Sequence, residues 1–260
     1  MAAAPRKRFG QHFLHDPAIV ERIVAAIAPA VDDRIVEIGP GEGVLTEVLL
    51  RAAGPIDAVE LDRDLVAALR ARADWPGTLT VHEGDVLRFD FRALASDSPL
   101  RVVGNLPYNI STPLLFHLLE QREAIRDMHF MLQREVVDRL AAEPGSKTYG
   151  RLSVMVQAHC RVQALFRVAP GAFRPPPAVE SAVVRLVPLE QPAVPPPHAD
   201  TFAELVRLAF AARRKTLRNA LRTRADAETI QAAGIDPGRR AETVSVAEYA
   251  RLAAAVVAAL

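Results

Sequence analysis

The chain has 260 residues, of which 50% are hydrophobic and 24% charged, with a formal net charge of +1. This composition excludes a disordered or fibrous protein, and the length suits one large α/β domain with a small appendage. No apolar run reaches the roughly 18 residues of a membrane helix, no secretory signal is evident, and Cys160 has no intramolecular partner, so we expect a cytoplasmic protein with no disulfide and no metal.

Strand-like and helix-like segments alternate over the first 187 residues. Short apolar runs predict strands at Ile35–Ile38, Ile56–Leu61, Leu79–His82, Leu100–Val103, Met128–Leu132, Arg161–Val168 and Ala182–Val187. Helical patterns intervene at Val44–Ala53, at Arg63–Ala73, from a Thr112 cap through Glu120, and at Glu135–Ala142. This order predicts an α/β fold with a mostly parallel sheet covered by helices on both faces, closed at one edge by an antiparallel pair of the last two strands.

A proline-rich segment, Pro188–Pro197, divides the chain because it can form neither a helix nor a central strand. We therefore predict a first domain over residues 1–187, a stiff linker over 188–199 and a small all-helical domain over 200–260. In the last part, one helix is expected from about Phe202 to Leu221. Another begins at Ser245, with Glu248 completing a capping box, and its apolar stripe is predicted to be Tyr249, Leu252, Val256 and Leu260.

Positive charge is concentrated in the predicted helical domain. The residues from Asp200 onward carry ten Lys or Arg against seven Asp or Glu. Seven of these cations occur with no acidic residue among them: Arg207, Arg213, Arg214, Lys215, Arg218, Arg222 and Arg224. Because so many like charges in one helical region repel each other, the pattern indicates a polyanionic partner rather than a solvated helix face.

A glycine-rich turn and two acids indicate a nucleoside site. Gly39, Gly41 and Gly43 follow the first predicted strand, Glu60 ends the second, and Asp85 follows the third. Ligands of open α/β sheets bind at these carboxyl ends, where an acid can bind ribose hydroxyls. Acids at successive strand ends suit a cationic ligand better than a phosphorylated one, which favours S-adenosylmethionine, with a nicotinamide dinucleotide as the alternative.

The segment Asn105-Leu106-Pro107-Tyr108 follows the strand at Leu100–Val103. The Asn105 amide oxygen and the Leu106 carbonyl can both accept hydrogen bonds from one amino group, and Tyr108 can stack on the ring that carries it. This arrangement is typical of a site that methylates the exocyclic amine of adenine. An ordinary strand-to-loop turn is the structural alternative.

Six ordered blocks together resemble the bacterial 16S rRNA adenine N6,N6-dimethyltransferases, the KsgA/RsmA family. The blocks are Arg6–Leu14, Val36–Gly41, Gly84–Asp85, Val103–Pro113, Phe173–Ser181 and Arg213–Leu221. The resemblance implies a Rossmann-like class I methyltransferase with a seven-stranded sheet. It also implies that S-adenosylmethionine contacts His12, Leu14, Gly39, Gly41, Glu60, Asp85 and Asn105. His12 departs from the family, which usually has Asn there, so its side-chain role stays open.

The resemblance also implies the substrate and the RNA contacts. The expected substrate is a pair of adjacent adenosines in a hairpin near the 3′ end of 16S rRNA, within an assembling 30S subunit, and the enzyme is expected to act as a monomer. Asn105 and Leu106 would hold the amine, and Tyr108 would stack on one face of the base. Phe173 is its predicted counterpart on the other face, with a position in the core under the proline-rich loop as the structural alternative. Phosphate contacts are predicted for Arg6, Lys7, Arg8, Arg213, Arg214, Lys215 and Arg218.

Two other functions remain as alternatives. A 23S rRNA adenine N6-methyltransferase shares the fold and a similar Asn-Pro-Tyr motif, although the blocks at Asn105–Pro113 and Arg213–Leu221 favour the small-subunit branch. A non-catalytic ribosome assembly factor is the other alternative, and the intact set of cofactor residues argues against it.

Overall fold

The computed structural model describes residues 12–95 and 98–259. These residues form a seven-stranded sheet in the order β4-β3-β2-β5-β6-β9-β7. The seven strands are β2 (Arg34–Ile38), β3 (Ile56–Glu60), β4 (Leu79–Glu83), β5 (Leu100–Asn105), β6 (Ile125–Gln133), β7 (Cys160–Val168) and β9 (Ser181–Pro188). Strands β4, β3, β2, β5 and β6 run parallel, and β9 pairs antiparallel with β6. The predicted α/β class and its mostly parallel sheet are confirmed.

A separate two-stranded sheet joins two distant parts of the chain. Strand β1 (Phe13–Leu14) pairs antiparallel with β8 (Phe173–Arg174), so that Phe13 lies opposite Arg174 and Leu14 opposite Phe173. Strands of two residues give no periodic pattern, and the sequence analysis did not predict them. The pairing ties the segment that contains His12 to the proline-rich loop after Phe173.

Helices lie between the strands along the chain and continue after the last strand. Their bounds are α1 (Pro17–Ile27), α2 (Val44–Ala53), α3 (Arg63–Ala71), α4 (Ser111–Glu120), α5 (Arg134–Leu140), α6 (Arg151–Gln157), α7 (Ala199–Ala211), α8 (Leu217–Ala220), α9 (Ala227–Ala232) and α10 (Val246–Ala258). Within the described ranges, no helix is long and apolar enough to cross a membrane.

Local sequence explains where several helices begin. Helix α1, which the sequence analysis missed, starts at Pro17 with the Asp16 carboxylate accepting from the Ala18 and Ile19 amides. Helix α4 begins at Ser111, one residue before its predicted start, and Ile110 is its N-cap, so the predicted Thr112 cap is wrong. The predicted bounds of α2 are correct.

Strand β5 lies at the centre of the sheet and carries the segment of greatest interest at its end. Leu100, Val102 and Val103 are fully buried, as expected for a parallel strand covered on both faces. A Cβ atom on Gly104 would lie 2.5 Å from the Ile38 carbonyl oxygen, which is backbone and cannot move aside cheaply. Glycine at this position therefore lets the ends of β2 and β5 approach each other closely.

The chain forms two compact units, one of residues 1–137 and 163–188 and the other of residues 138–162 and 189–260. The second unit includes residues 138–162, with α6 among them, and this stretch lies inside the predicted first domain of residues 1–187. The physical reason is burial, since Tyr149, Val154 and Ala158 belong to the same hydrophobic core as Leu205 and Leu252. The functional division at residues 188–199 stays a prediction.

The predicted helix from Phe202 to Leu221 is wrong in its second half. Helix α7 ends at Ala211, and the chain turns before α8 begins at Leu217. The backbone of this turn bonds outside the helix, because Thr216 forms an isolated antiparallel bridge with Arg240 and the Leu217 amide donates to the Arg239 carbonyl at 2.8 Å. These tertiary bonds replace the helical ones.

Helix α10 follows its prediction closely. The Ser245 hydroxyl and the Glu248 side chain form the predicted capping box. Tyr249, Leu252 and Val256 are buried as expected, while Leu260 lies outside the described residues.

Candidate active site

A cavity of about 240 Å³ lies at the carboxyl ends of β2, β3, β4 and β5. Its walls include Gly39, Gly41, Glu60, Asp85, Asn105 and Tyr108. The structure therefore brings most of the predicted cofactor residues to one place, together with the segment Asn105–Tyr108, which is the predicted amine clamp. A second, smaller cavity of about 40 Å³ shares Gly39, Gly41 and Asn105 with it and is also lined by Leu14 and Glu37.

The glycine-rich turn forms one wall of the larger cavity. Gly39 and Gly41 have φ angles of 64° and 57°, in the left-handed region that favours glycine. A Cβ atom on Gly41 would also lie 3.0 Å from the Phe13 ring. The turn thus presents bare backbone to the cavity, where a ligand can approach closely.

Two carboxylates face the cavity from neighbouring strand ends. Glu60 is 7% exposed, and its Oε1 atom accepts hydrogen bonds from the amides of Leu61 at 2.9 Å and Asp62 at 2.8 Å. Burial raises the pKa of Glu60, against the lowering effect of the backbone amides that it accepts from. Asp85 is exposed, and its Oδ1 atom accepts from the Leu87 amide at 3.0 Å. The backbone bonds fix the orientation of both carboxylates.

Glu37 is a buried acid of β2 for which no role was predicted. Complete burial raises its pKa to about 7, although the Thr46 hydroxyl donates to its Oε2 atom at 2.5 Å. This carboxyl group lines the smaller cavity rather than the larger one.

Asn105 ends β5 with its amide group held in one orientation. The Nδ2 atom donates to the backbone carbonyl of His12 at 2.9 Å. Because this bond uses the donor end of the amide, the Oδ1 atom is the end left to accept from a ligand. The adjacent Leu106 is fixed as well, since its side chain is 1% exposed and its amide donates to the Met131 carbonyl at 3.1 Å.

Tyr108 is held on several sides. Its hydroxyl group lies 2.7 Å from the Ser181 Oγ atom, and its carbonyl accepts from the Ser111 hydroxyl at 3.1 Å. The His12 ring stacks against the Tyr108 ring with 5.7 Å between centroids and an angle of 29°. Burial raises the pKa of Tyr108, so the hydroxyl stays protonated at neutral pH.

His12 connects the clamp to the proline-rich loop. Its Nδ1 atom lies 2.7 Å from the Pro175 carbonyl oxygen, and because a carbonyl can only accept, this nitrogen carries the proton. The residue thus contributes its backbone to Asn105, its ring face to Tyr108 and its Nδ1 atom to the loop. The sequence predicted a cofactor contact for His12 but none of these three contacts, because they join residues far apart in the chain.

Two predicted site residues, Phe173 and Leu14, belong to the hydrophobic core and do not line the larger cavity. Phe173 is 2% exposed and packs in the same hydrophobic cluster as Leu14 and Val183. Neither Phe173 nor Leu14 lines the larger cavity. Phe173 has no face open to a base in this structure, and its stacking role stays a prediction that requires the side chain to move.

The predicted RNA-binding cations fall into three groups. Arg6, Lys7 and Arg8 lie outside the described residues. Arg213 is engaged within the second unit, because its Nη2 atom donates to the Lys147 carbonyl at 2.9 Å and its Nε atom lies 3.8 Å from Glu242. The remaining predicted cations are exposed and form no ion pair with another described residue: Arg214, Lys215 and Arg218.

The structure adds two cations to this surface that the sequence analysis did not select. Lys147 is exposed, and its backbone carbonyl accepts the hydrogen bond from the Arg213 guanidinium. Arg240 is exposed and lies opposite Thr216 in the isolated bridge. Arg224, by contrast, is paired with Glu204 at 2.9 Å, so the run of seven cations is partly compensated by acids from elsewhere in the unit.

Comparisons with known proteins agree with this geometry. The model of the family described as "Ribosomal RNA adenine dimethylase" matches residues 3–257. The chain belongs to this family. Ribosomal RNA small subunit methyltransferase A of Methylococcus capsulatus is 58% identical, with 97% of this chain and 98% of the relative covered. The same-named protein of Chromohalobacter salexigens is 57% identical, with 95% and 90% covered.

Solved structures support the same assignment. A dimethyladenosine transferase from Plasmodium falciparum matches with a TM-score of 0.80 at 25% identity, covering 93% of this chain and 96% of that one. The 23S rRNA methyltransferase ErmE matches with a TM-score of 0.75 at 25% identity, covering 94% and 99%. The small-subunit relatives are much more similar in sequence than ErmE, which favours the predicted small-subunit methyltransferase over the 23S rRNA alternative.

Proteins of the ribosomal RNA adenine dimethylase family use S-adenosylmethionine, and the cavity fits this cofactor. None of the described residues that line the cavity is Lys or Arg, whereas Glu60, Asp62 and Asp85 are acids. Such a lining suits a cationic sulfonium compound and disfavours a pyrophosphate, which removes the nicotinamide dinucleotide alternative. Gly39, Gly41, Glu60 and Asp85 are the residues that would hold the cofactor.

Proposed function

We propose that the chain transfers methyl groups from S-adenosylmethionine to the N6 amines of two adjacent adenosines in a hairpin near the 3′ end of 16S rRNA. The observation that carries the proposal is the fixed amide of Asn105. Its Nδ2 atom donates to the His12 carbonyl at 2.9 Å, so its oxygen is left to accept from a ligand, and Asn105 lines the same cavity as the acids Glu60 and Asp85. The family and its small-subunit relatives supply the choice of RNA.

The chemistry follows from positioning. S-adenosylmethionine, when bound, would supply an electrophilic methyl group, with the sulfonium leaving as a neutral thioether when its bond to the methyl carbon breaks. The Asn105 amide oxygen and the Leu106 carbonyl each accept a hydrogen bond from the amine. The nitrogen lone pair then points away from these two oxygens. Tyr108 stacks on the base and holds it in the plane of the clamp. Positioning and the two acceptors, which stabilise the positive charge that develops on nitrogen, supply the rate enhancement.

No strong base is needed at the clamp. The nitrogen becomes acidic once it is methylated and can lose its proton to water. Tyr108 is unsuited to take that proton, because burial raises its pKa and keeps its hydroxyl protonated.

We further propose that the second unit binds the RNA backbone during small-subunit assembly. Arg214, Lys215 and Arg218 are exposed cations without an acidic partner among the described residues, and Lys147 and Arg240 adjoin them. The first and second units would then divide catalysis and RNA binding, as the predicted domains do. We expect a monomer that acts on the 30S subunit in the cytoplasm.

Labelled S-adenosylmethionine offered to unmodified 30S or 50S subunits tests the activity. We expect label in 30S subunits and dimethyladenosine at two adjacent positions by mass spectrometry. Label in 50S subunits alone would overturn the proposal in favour of a 23S rRNA enzyme. No label in either would favour a non-catalytic assembly factor.

A variant tests the role of Asn105. Asn105→Ala should lower the methylation rate by roughly 10²–10³-fold, since it removes an acceptor that acts on developing charge. Binding to 30S subunits should remain. Gln163→Ala is a matched control, because it removes an exposed amide on strand β7 and should leave the rate unchanged. Wild-type turnover in the Asn105 variant would exclude the proposed role.

A further inference from the structure

Tyr108 and Ser181 form a side-chain pair that joins the clamp to a strand 73 residues away. The two hydroxyl oxygens lie 2.7 Å apart. Ser181 is fully buried and is the first residue of β9. A buried hydroxyl is costly to leave without a partner, so each of these groups fixes the other.

Ser181 is itself rigidly placed. It lies opposite Gln133 in the pairing of β9 with β6. The residue before it, Glu180, is tied to the start of α5 twice: the Arg134 amide donates to the Glu180 carbonyl at 2.9 Å, and the Arg134 guanidinium donates to the Glu180 carboxylate at 2.6 Å. The serine hydroxyl is therefore an anchor fixed to the sheet.

Tyr108, in contrast, lies on the connection between β5 and α4. The Ser111 hydroxyl bonds to its backbone carbonyl, which places the main chain but leaves the ring free to rotate. Stacking on His12 limits the ring on one face. The bond to Ser181 is the contact that fixes the direction of the ring, because it acts at the far end of the side chain.

We propose that Ser181 is a positioning residue for methyl transfer. By binding the Tyr108 hydroxyl, Ser181 fixes the position of the stacking ring relative to Asn105. Both residues are held by the same sheet, in which β5, β6 and β9 follow one another. This inference rests on the proposed function. The second transfer depends on it most, because a monomethylated amine has one hydrogen left and the clamp then holds it with a single acceptor. Ring stacking has to supply the rest of the alignment.

A double-mutant cycle tests the proposal. The variants Ser181→Ala, Tyr108→Phe and the double variant are compared with wild type by single-turnover rates on unmethylated 30S subunits. The ratio of dimethyladenosine to monomethyladenosine is measured by mass spectrometry. A hydrogen bond of ordinary strength corresponds to a roughly 3- to 10-fold change in rate. We expect a decrease of this size in each single variant, a lower proportion of dimethyladenosine, and no further decrease in the double variant.

Two further variants separate positioning from stability. Ser153→Ala removes a hydroxyl that is equally buried in the second unit, where it donates to the Arg139 carbonyl at 2.5 Å, and should lower the melting temperature without changing the product ratio. If Ser181→Ala fails to fold, Ser181→Thr keeps the hydroxyl and should retain the wild-type ratio, whereas Tyr108→Phe alone should still lower it.

Several outcomes would overturn the inference. They are an unchanged rate and product ratio in Ser181→Ala, a loss confined to the melting temperature, or decreases that add up in the double variant. Each of these requires a wild-type enzyme that methylates the 30S subunits. A wild-type enzyme that fails to do so would instead refute the proposed function itself.

Discussion

Replacing the exposed cations of the second unit should change how RNA binding depends on salt. In the triple variant Arg214→Gln, Lys215→Gln and Arg218→Gln, three side chains lose their charge, and none of them is ion-paired to another described residue. Each phosphate contact contributes about 0.7 to 0.9 to the slope of log Kobs against log salt. The slope should therefore become shallower by roughly 2 to 3.

The assay is equilibrium binding to labelled 30S subunits over a salt range of about 50 to 200 mM, where counterion release dominates the change in affinity. The substituted side chains are exposed, so the melting temperature should change little. An unchanged melting temperature shows that a loss of binding does not come from unfolding.

Arg224→Gln is the matched control. It removes a cation from the same run of sequence, but the Arg224 guanidinium is paired with Glu204 at 2.9 Å. We expect this variant to leave the salt slope close to that of wild type. A slope that is unchanged in the triple variant, or one that falls equally for Arg224, would refute the assignment of the RNA surface from exposure and pairing.

Three other predictions concern the sheet and the cofactor cavity. Gly104→Ala places a Cβ atom 2.5 Å from the Ile38 carbonyl, so it should destabilise the protein by at least the ~1–3 kcal/mol typical of overpacking, as measured by urea unfolding. Glu60→Gln keeps the size of the side chain but removes an acid from the cavity wall, so the affinity for S-adenosylmethionine should fall in calorimetry while RNA binding is unchanged. His129 is 2% exposed, and burial, aided by Arg101 and Arg185, lowers its pKa from 6.5 to about 4 against the opposing effect of Asp127. Between these two pH values the unfolded chain binds a proton that the folded chain does not, so this group lowers the free energy of unfolding by about 3 kcal/mol as the pH falls from 6.5 to 4. The difference in unfolding free energy between wild type and His129→Gln should change by that amount over the same range. A difference that does not change with pH would contradict the prediction.

The strands and most helices around the site were predictable because their signals are local. Buried parallel strands are short segments rich in Leu, Ile and Val, as Leu100, Val102 and Val103 of β5 show, and α2 is bounded by glycines at both ends. Sequence periodicity predicted the wrong secondary structure where the backbone bonds to residues distant in the chain. The turn after α7 is an example, because its amides pair with the segment around Arg239 and Arg240 instead of continuing the helix.

The candidate site shows the same division. Gly39, Gly41, Glu60, Asp85 and Asn105 follow strand ends, and parallel strands bring their carboxyl ends to one edge of the sheet. Strand order in the sequence was therefore enough to predict that they meet. Phe173 was harder to predict, because a two-residue pairing of β1 with β8 places it in the core.

The sequence by itself determined the fold class, the glycine-rich turn with its acids, and the Asn105–Tyr108 clamp, since each depends on residue type and spacing along a strand or turn. Only the tertiary structure decided what holds the clamp. The Asn105 amide is oriented by His12 and the Tyr108 hydroxyl by Ser181, across 93 and 73 residues of sequence. It also decided which cations remain unpaired among the described residues, because folding of the second unit brings Glu204 to Arg224 and Glu242 to Arg213. Such pairs depend on the register and packing of distant elements, which no local pattern records.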